Sequence, residues 1–261
     1  MEFVRFSFII PTLNEEKNLD GCLNSLINQT RDDYEVIVVD GGSRDGTREI
    51  ALKYGVEFIV VPKRRPHDVS FAKNEGMRRS NGVYVFFLDA DMVLDPNCVE
   101  VLEDIFSDRD VVGVSLKVLP WKGTPFETFL FSFNNVLVAI AHSMKFYQLS
   151  YFSCHCYMKD MVEKVEGFRE DLNSCEDLDL SLRMARLGRY MVTGRTTLWT
   201  SPRRLREWSY GVYVLRYCKF LFQYYMLNKI NDFYEDMDEL IQNSHIEIKA
   251  RIRVIEKRVG N

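Results

Sequence analysis

Apolar and polar positions over the first 110 residues follow two alternating rhythms. The mostly apolar stretch from Phe3 to Ile10, closed by Pro11, has the pattern of a buried strand. Leu19, Cys22, Leu23, Leu26 and Ile27 then recur at helical spacing. Glu35 to Asp40 (EVIVVD) reads as a second strand running into Gly41-Gly42-Ser43, with Asp45 placed to cap a helix that continues through Ile50. Val56 to Val61 is a third strand, Val69 to Arg79 a helix closed by Asn81-Gly82, and Tyr84 to Leu88 a fourth strand. Asp95-Pro96 suits a further helix start, since Asp caps well and Pro fits the first turn. Strands alternating with helices predict an α/β fold with a doubly wound, mostly parallel sheet flanked by helices.

That pattern places the polar residues. In open α/β sheets ligands bind beyond the carboxyl ends of the strands, and three polar clusters fall at such ends: Pro11-Thr12-Leu13-Asn14-Glu15, Asp40-Gly41-Gly42-Ser43 and Asp89-Ala90-Asp91. Read as strand residues two apart, Asp89 and Asp91 face the same way and converge. Paired carboxylates repel unless a proton or cation intervenes, and a hard ion such as Mg2+ or Mn2+ suits oxygen ligands and substrate phosphates. Each cluster alone is also what a tight turn and a helix cap look like. Their coincidence on one rim points to a site.

Composition narrows the class. The 261 residues allow one large α/β domain or two smaller ones, with 46% hydrophobic and 28% charged residues. A formal net charge of −4 argues against a nucleic-acid partner. Cys22, Cys98, Cys154, Cys156, Cys175 and Cys218 show no CxxC pair and read as reduced thiols. The start MEFVRFSFII lacks signal-peptide features, and the apolar run from Phe129 to Met144 is short and broken by Asn134, Asn135 and His142. The expectation is a cytoplasmic protein, at most peripheral on the cytoplasmic face of a membrane.

The ordered series SFIIPTLNEEKNL, EVIVVDGGSRDGT, AKNEGMRRSNGVYVFFLDADMVLDP and GFREDLNSCEDLDLSLRMARLG, over about residues 6 to 190, resembles family 2 glycosyltransferases of the GT-A fold. The resemblance implies inverting, metal-assisted transfer of a sugar from a UDP- or GDP-linked donor. Carried over, Pro11, Thr12, Asn14 and Glu15 would line the nucleotide, and Asp40, followed by Gly41, would accept a hydrogen bond from its base. Asp89, Ala90 and Asp91 would meet ribose and diphosphate, with Asp91 and Asp89 on the metal. Lys73 stands where the family commonly has the Arg of an ARN run, and a lysine lacks that planar fork. In CEDLDL, Asp177 would be the base that takes the acceptor's proton, and Glu176 its orienting neighbour. Acids also favour a helix's first turn for reasons of dipole alone. The helix they open is expected to end at Leu187-Gly188 and to bury Leu178, Leu182 and Ala185, with Asp179 and Arg183 as an ordinary i,i+4 ion pair.

Other candidates are read from the residues. His155, between Cys154 and Cys156, would face the cleft beside acceptor or donor, since the spacing does not suit a zinc site. Arg203 and Arg204 would form a flexible basic loop able to grip the diphosphate, with Trp208 near the acceptor; a solvated linker is the alternative. Processive members of the family that the chain resembles carry a QxxRW motif in this region; it is absent here, so the resemblance implies addition of a single sugar. Thr124 to Met144 reads as a helix beside the acceptor cleft. Trp208 to Met226 is aromatic and suits either a membrane interface, as a lipid-phosphate acceptor would need, or helix packing. The charged end from Asn228 reads as a helix and a possible homo-oligomer contact. The resulting layout is a catalytic domain over residues 1–200, with a nucleotide half to about 115 and an acceptor half from 116, then a helical extension over 201–261. The acceptor, a glycan, a lipid phosphate or a small molecule, is left open. Two rivals remain: a nucleotidyltransferase, which would carry GxGxR where this chain has PTLNEE, and a non-catalytic nucleotide-binding or scaffold protein derived from a transferase.

Overall fold

The computed structural model describes residues 4–62, 64, 68–144, 154–172 and 175–207. Its centre is β1 (Phe6–Thr12), paired in parallel with β2 (Tyr34–Asp40) and β4 (Tyr84–Phe87); β2 pairs in parallel with β3 (Glu57–Val60). The crossovers carry α1 (Leu19–Ile27), α2 (Thr47–Lys53) and α3 (Val69–Arg79), as parallel neighbours require. The second half enters the same sheet with opposed pairing. Strand β7 (His155–Met158) lies antiparallel between β4 and β6 (Val111–Pro120). Then β8 (Arg189–Thr200) runs parallel to β6, and β5 (Met92–Leu94) closes the far edge antiparallel to β8. The order β3-β2-β1-β4-β7-β6-β8-β5 makes one eight-stranded mixed sheet. Residue 115, where the sequence reading parts the nucleotide and acceptor halves, lies inside β6.

Side chains alternate across β1 and so build two cores. Phe6, Phe8 and Ile10 face α1 and α4 (Cys98–Phe106), among Leu19, Leu23, Leu26, Leu102 and Phe106. Ile9 faces the other way with Ile37, Val39 and Phe87, under α3, α6 (Lys159–Lys164) and α7 (Glu176–Met184). Burial on both faces explains why these strands read as apolar runs rather than alternating ones.

Several expected boundaries move for identifiable reasons. Strand β1 continues through Pro11 because β4 pairing stops at Ile9, so the missing Pro11 N–H leaves no bond unmade on that side. Gly46, not Asp45, is the N-cap of α2, yet Asp45 Oδ1 still accepts from the Thr47 N–H at 3.1 Å. Asp95 does not cap α4; Asn97 holds that position. The Asp95 carboxylate instead accepts from Thr197 N–H at 2.9 Å and Trp199 Nε1–H at 2.7 Å, because β8 brings both donors to it. The helix expected over Thr124 to Met144 is α5 (Pro125–Ser143), opened by a reciprocal cap between Thr124 and Glu127. Asn135, which interrupts its apolar run, clamps β6 by bonding both Val118 N–H and Val118 C=O. Among the described residues no helix is long and apolar enough to cross a membrane. The extension beyond 207, including the stretches from Trp208 to Met226 and from Asn228, lies outside the described residues.

Candidate active site

The loops after β1 and β2 interlock. Asn14 sits in the left-handed region at φ 57°, which Asn tolerates better than most residues. Its N–H donates to Ser43 Oγ at 2.8 Å and its Oδ1 accepts from Arg44 N–H at 2.9 Å. Glu15 N–H donates to Thr47 Oγ1 at 2.8 Å, so the start of α2 supports the same loop. Asp40 is buried and accepts four bonds: Gly42 N–H (2.9 Å) and Ser43 N–H (2.8 Å) on Oδ1, Thr12 Oγ1–H (3.1 Å) and Ser43 Oγ–H (2.5 Å) on Oδ2. A carboxylate has about four lone-pair sites, so in this conformation Asp40 shapes the loop of Gly41 and Gly42 around itself. Pro11 stands half-buried between Ile10 and Thr12 on the same rim.

Asp89 and Asp91 are not strand residues. Strand β4 ends at Phe87, and Met92 N–H turns back to Asp89 C=O at 3.1 Å, so the two acids flank Ala90 in a turn. Their placement comes from that turn and not from strand alternation. Asp89 N–H donates to Cys154 Sγ at 3.3 Å, so a buried cysteine of the second half anchors the acidic turn. Arg203 leans over the rim, with a guanidinium nitrogen 3.9 Å from Glu15 Oε1 and 4.0 Å from Asp91 Oδ2. The basic segment is not an open loop: α8 (Arg203–Glu207) carries both Arg203 and Arg204. It is tied to the start of α5, because Arg206 donates to both Glu127 oxygens at 2.7 and 3.0 Å.

Opposite these loops, α7 opens on Glu176 and Asp177 after Cys175, whose φ of 60° turns the chain sharply into the helix. The helix ends at Met184, and the face it buries differs in part from the expected one: Leu178 is buried and Ala185 packs partly buried against the core, but Leu180, Ser181 and Met184 fill the buried face and Leu182 is only partly buried. Asp179 and Arg183 do form the i,i+4 pair, at 2.6 Å. Asp177 is itself buried and turned inward to Lys73, whose Nζ donates to Asp177 Oδ1 at 2.8 Å, Oδ2 at 2.9 Å and Glu176 Oε1 at 3.1 Å. Lys73 is only 1% exposed, with Nζ 5.0 Å from the centre of the Phe168 ring. Burial pushes the Asp177 carboxyl up, opposed by the Lys73 charge and reinforced by Glu176 and Asp89, to about 8. Glu176 goes the other way, because Lys73 and its hydrogen bonds outweigh the effect of its burial. The adjacent Asn74 bonds Phe168 through both its N–H and its C=O, each at 2.9 Å, and reaches Glu170 at 3.0 Å.

His155 does not face a cleft. It is fully buried on β7, with Nδ1 2.5 Å from the Tyr190 hydroxyl and the Tyr157 ring beside it. The reason is that β7 is an inner strand covered on that side by aromatic residues. The flanking Cys154 and Cys156 are buried thiols. Trp208 lies outside the described residues. Sequence reasoning missed Asn74, although it stands inside the quoted AKNEG run.

The glycosyl transferase family 2 pattern matches residues 7–165. Haloferax volcanii glycosyltransferase AglE is 40% identical over 91 residues, 33% of this chain and 30% of that protein. The chain thus matches about a third of the length of such curated relatives. The structure of S. aureus TarS residues 1–349 in complex with UDP superimposes with a TM-score of 0.60 at 22% identity, covering 88% of this chain and 67% of that one. A Pyrobaculum calidifontis mannosyltransferase in complex with GDP-Man and Mn2+ also gives 0.60 at 19% identity, covering 81% and 59%. The eight-stranded fold is of the same GT-A kind.

Proposed function

The chain belongs to glycosyl transferase family 2, and on that premise we propose that it moves one sugar, with inversion, from a nucleotide-diphosphate donor to an acceptor nucleophile. What carries the reading is convergence: the loops after β1 and β2, the acidic turn after β4 and the opening of α7 meet on one rim, near enough that the charge of Asp89 acts on both Lys73 and Asp177. The loops of Thr12 to Glu15 and Asp40 to Ser43 form the nucleotide seat. Arg203, at the edge of Glu15 and Asp91, supplies positive charge to a diphosphate there.

The donor set fits a divalent ion. The turn presents two carboxylates, hard oxygen ligands, and Asp91 already draws a cationic group to its edge. Among the described residues no group of three or more His, Cys, Asp or Glu encloses a metal. Asp91 and Asp89 would therefore share Mg2+ or Mn2+ with donor phosphates and water, as such ions commonly bind. Bound there, the ion would offset charge developing on the leaving nucleoside diphosphate. Asp177 accepts the proton of the attacking hydroxyl as that oxygen bonds to the anomeric carbon, and the bond to the diphosphate breaks with its electron pair leaving on the nucleotide. A raised carboxyl suits this role, since an effective base titrates near the working pH. An acceptor phosphate would arrive already ionised and need no such base.

The test is thermal stabilisation by UDP, GDP, CDP and dTDP, each with and without Mn2+. One nucleotide should stabilise the protein in a metal-dependent way, and Asp91→Ala should remove the metal dependence. Asp177→Asn should keep the stabilisation and lose at least about a hundredfold in donor turnover. No stabilisation of folded wild-type protein by any of the four would sink the proposal.

A further inference from the structure

We infer that Lys73 is a positioning residue for Asp177 and not a ligand of the donor, an assignment that rests on the transferase reading above. A lysine ammonium has three donors. Here all three are used within the protein, on Asp177 Oδ1, Asp177 Oδ2 and Glu176 Oε1. With the side chain 1% exposed, nothing remains to offer a base or a diphosphate. An arginine would present five donors in a rigid fork; the single ammonium suits a compact, enclosed role.

The surroundings are built to hold it. Lys73 and Asn74 are consecutive on α3 and grip the two ends of one segment: Asn74 fixes Phe168 by both backbone groups, and Lys73 fixes Glu176 and Asp177 at the start of α7. The Phe168 ring lies between these grips and against the ammonium. The helix α3 therefore sets where the base stands relative to the sheet. The charges facing Asp177 are Lys73 from α3, Glu176 from its own helix and Asp89 from the acidic turn, and Lys73 is the one cation among them. Its charge and hydrogen bonds pull the Asp177 carboxyl down, against burial and two like charges that push it up. During transfer the acceptor's proton goes to a remaining lone pair of an Asp177 oxygen, and Lys73 keeps its own three protons.

The experiment follows the Asp177 carboxyl carbon by 13C NMR as a function of pH in metal-free protein, assigned by its loss in Asp177→Asn. Lys73→Met should raise its midpoint by about one pH unit or more, and Lys73→Arg should hold it close to wild type. The metal-dependent stabilisation by the nucleotide that stabilises wild type should survive Lys73→Met. An unmoved midpoint, or loss of nucleotide stabilisation in folded Lys73→Met, overturns the inference. Should Lys73→Met not fold, the wild-type 15N spectrum decides. Slowly exchanging Lys73 ammonium protons that are lost in Asp177→Asn support the pairing, and freely exchanging ones overturn it. Absence of any nucleotide effect in wild type would instead overturn the transferase reading, with the Asp177 titration still deciding the pairing.

Discussion

At the scale of single residues, the same side chain type does different work according to what surrounds it. Asp40 and Asp177 are both buried carboxylates, but Asp40 is saturated by loop donors while Asp177 faces a lysine and two other acids. Removing the Asp40 carboxylate leaves the Gly42 and Ser43 N–H groups and two hydroxyls without their acceptor. Asp40→Ala should therefore cost roughly 2 to 4 kcal/mol in chemical denaturation, besides loosening the loop. The acids themselves were legible because carboxylates at strand ends stand out against apolar runs. Their bonding partners were not, since the side-chain bonds to Asp40 span 2 to 28 residues and those to Asp177 span 104.

At the scale of elements, α5 shows how a local signal and a distant one combine. Thr124, Pro125 and Glu127 are a helix start readable from sequence, but the Glu127 carboxylate also holds Arg206 of α8. The Arg206 side-chain bonds, and the Thr124 N–H with them, keep the Glu127 carboxyl down at about 2. A carboxyl depressed on folding stabilises above its unfolded value, near 4.5, and that contribution is lost as pH falls toward 2. Glu127→Gln should flatten acid denaturation in that window. The effect is modest, because Arg206 is half exposed and solvent screens it. Packing of α3 is less forgiving. A methyl at Gly76 would stand 2.4 Å from Ile9 Cγ2 and 3.0 Å from Val39 Cγ2. Alanine gains up to about 1 kcal/mol of helix propensity, but overpacking costs roughly 1 to 3 kcal/mol or more. Gly76→Ala should therefore lower the midpoint of thermal unfolding, and a raised midpoint would show that the helix can shift away from the sheet. Helix limits for α3 were legible to the residue, whereas the buried face of α7 was not, because two of its acids turn inward to partners that the helix period does not reveal.

At the scale of the molecule, the sheet joins both halves of the sequence. Strand β4 is flanked by β1 from the first half and β7 from the second, and β5 pairs with β8 more than a hundred residues later in the chain. A fragment ending at residue 115 cuts β6 and removes β7 and β8, exposing the β4 edge and both core faces. It should show no dispersed NMR spectrum, whereas an independent nucleotide half would give one. The sequence alone determined the alternating α/β plan, the strand-end clusters and the family, because these rest on local periodicity and on motifs read in order. Tertiary structure alone decided that Asp89 and Asp91 share a turn, that His155 is enclosed by aromatic rings, and that Lys73 holds Asp177. The turn follows from β4 ending at Phe87, whereas the other two depend on which surfaces meet across a sheet whose neighbouring strands are far apart in the chain, and no local pattern encodes that.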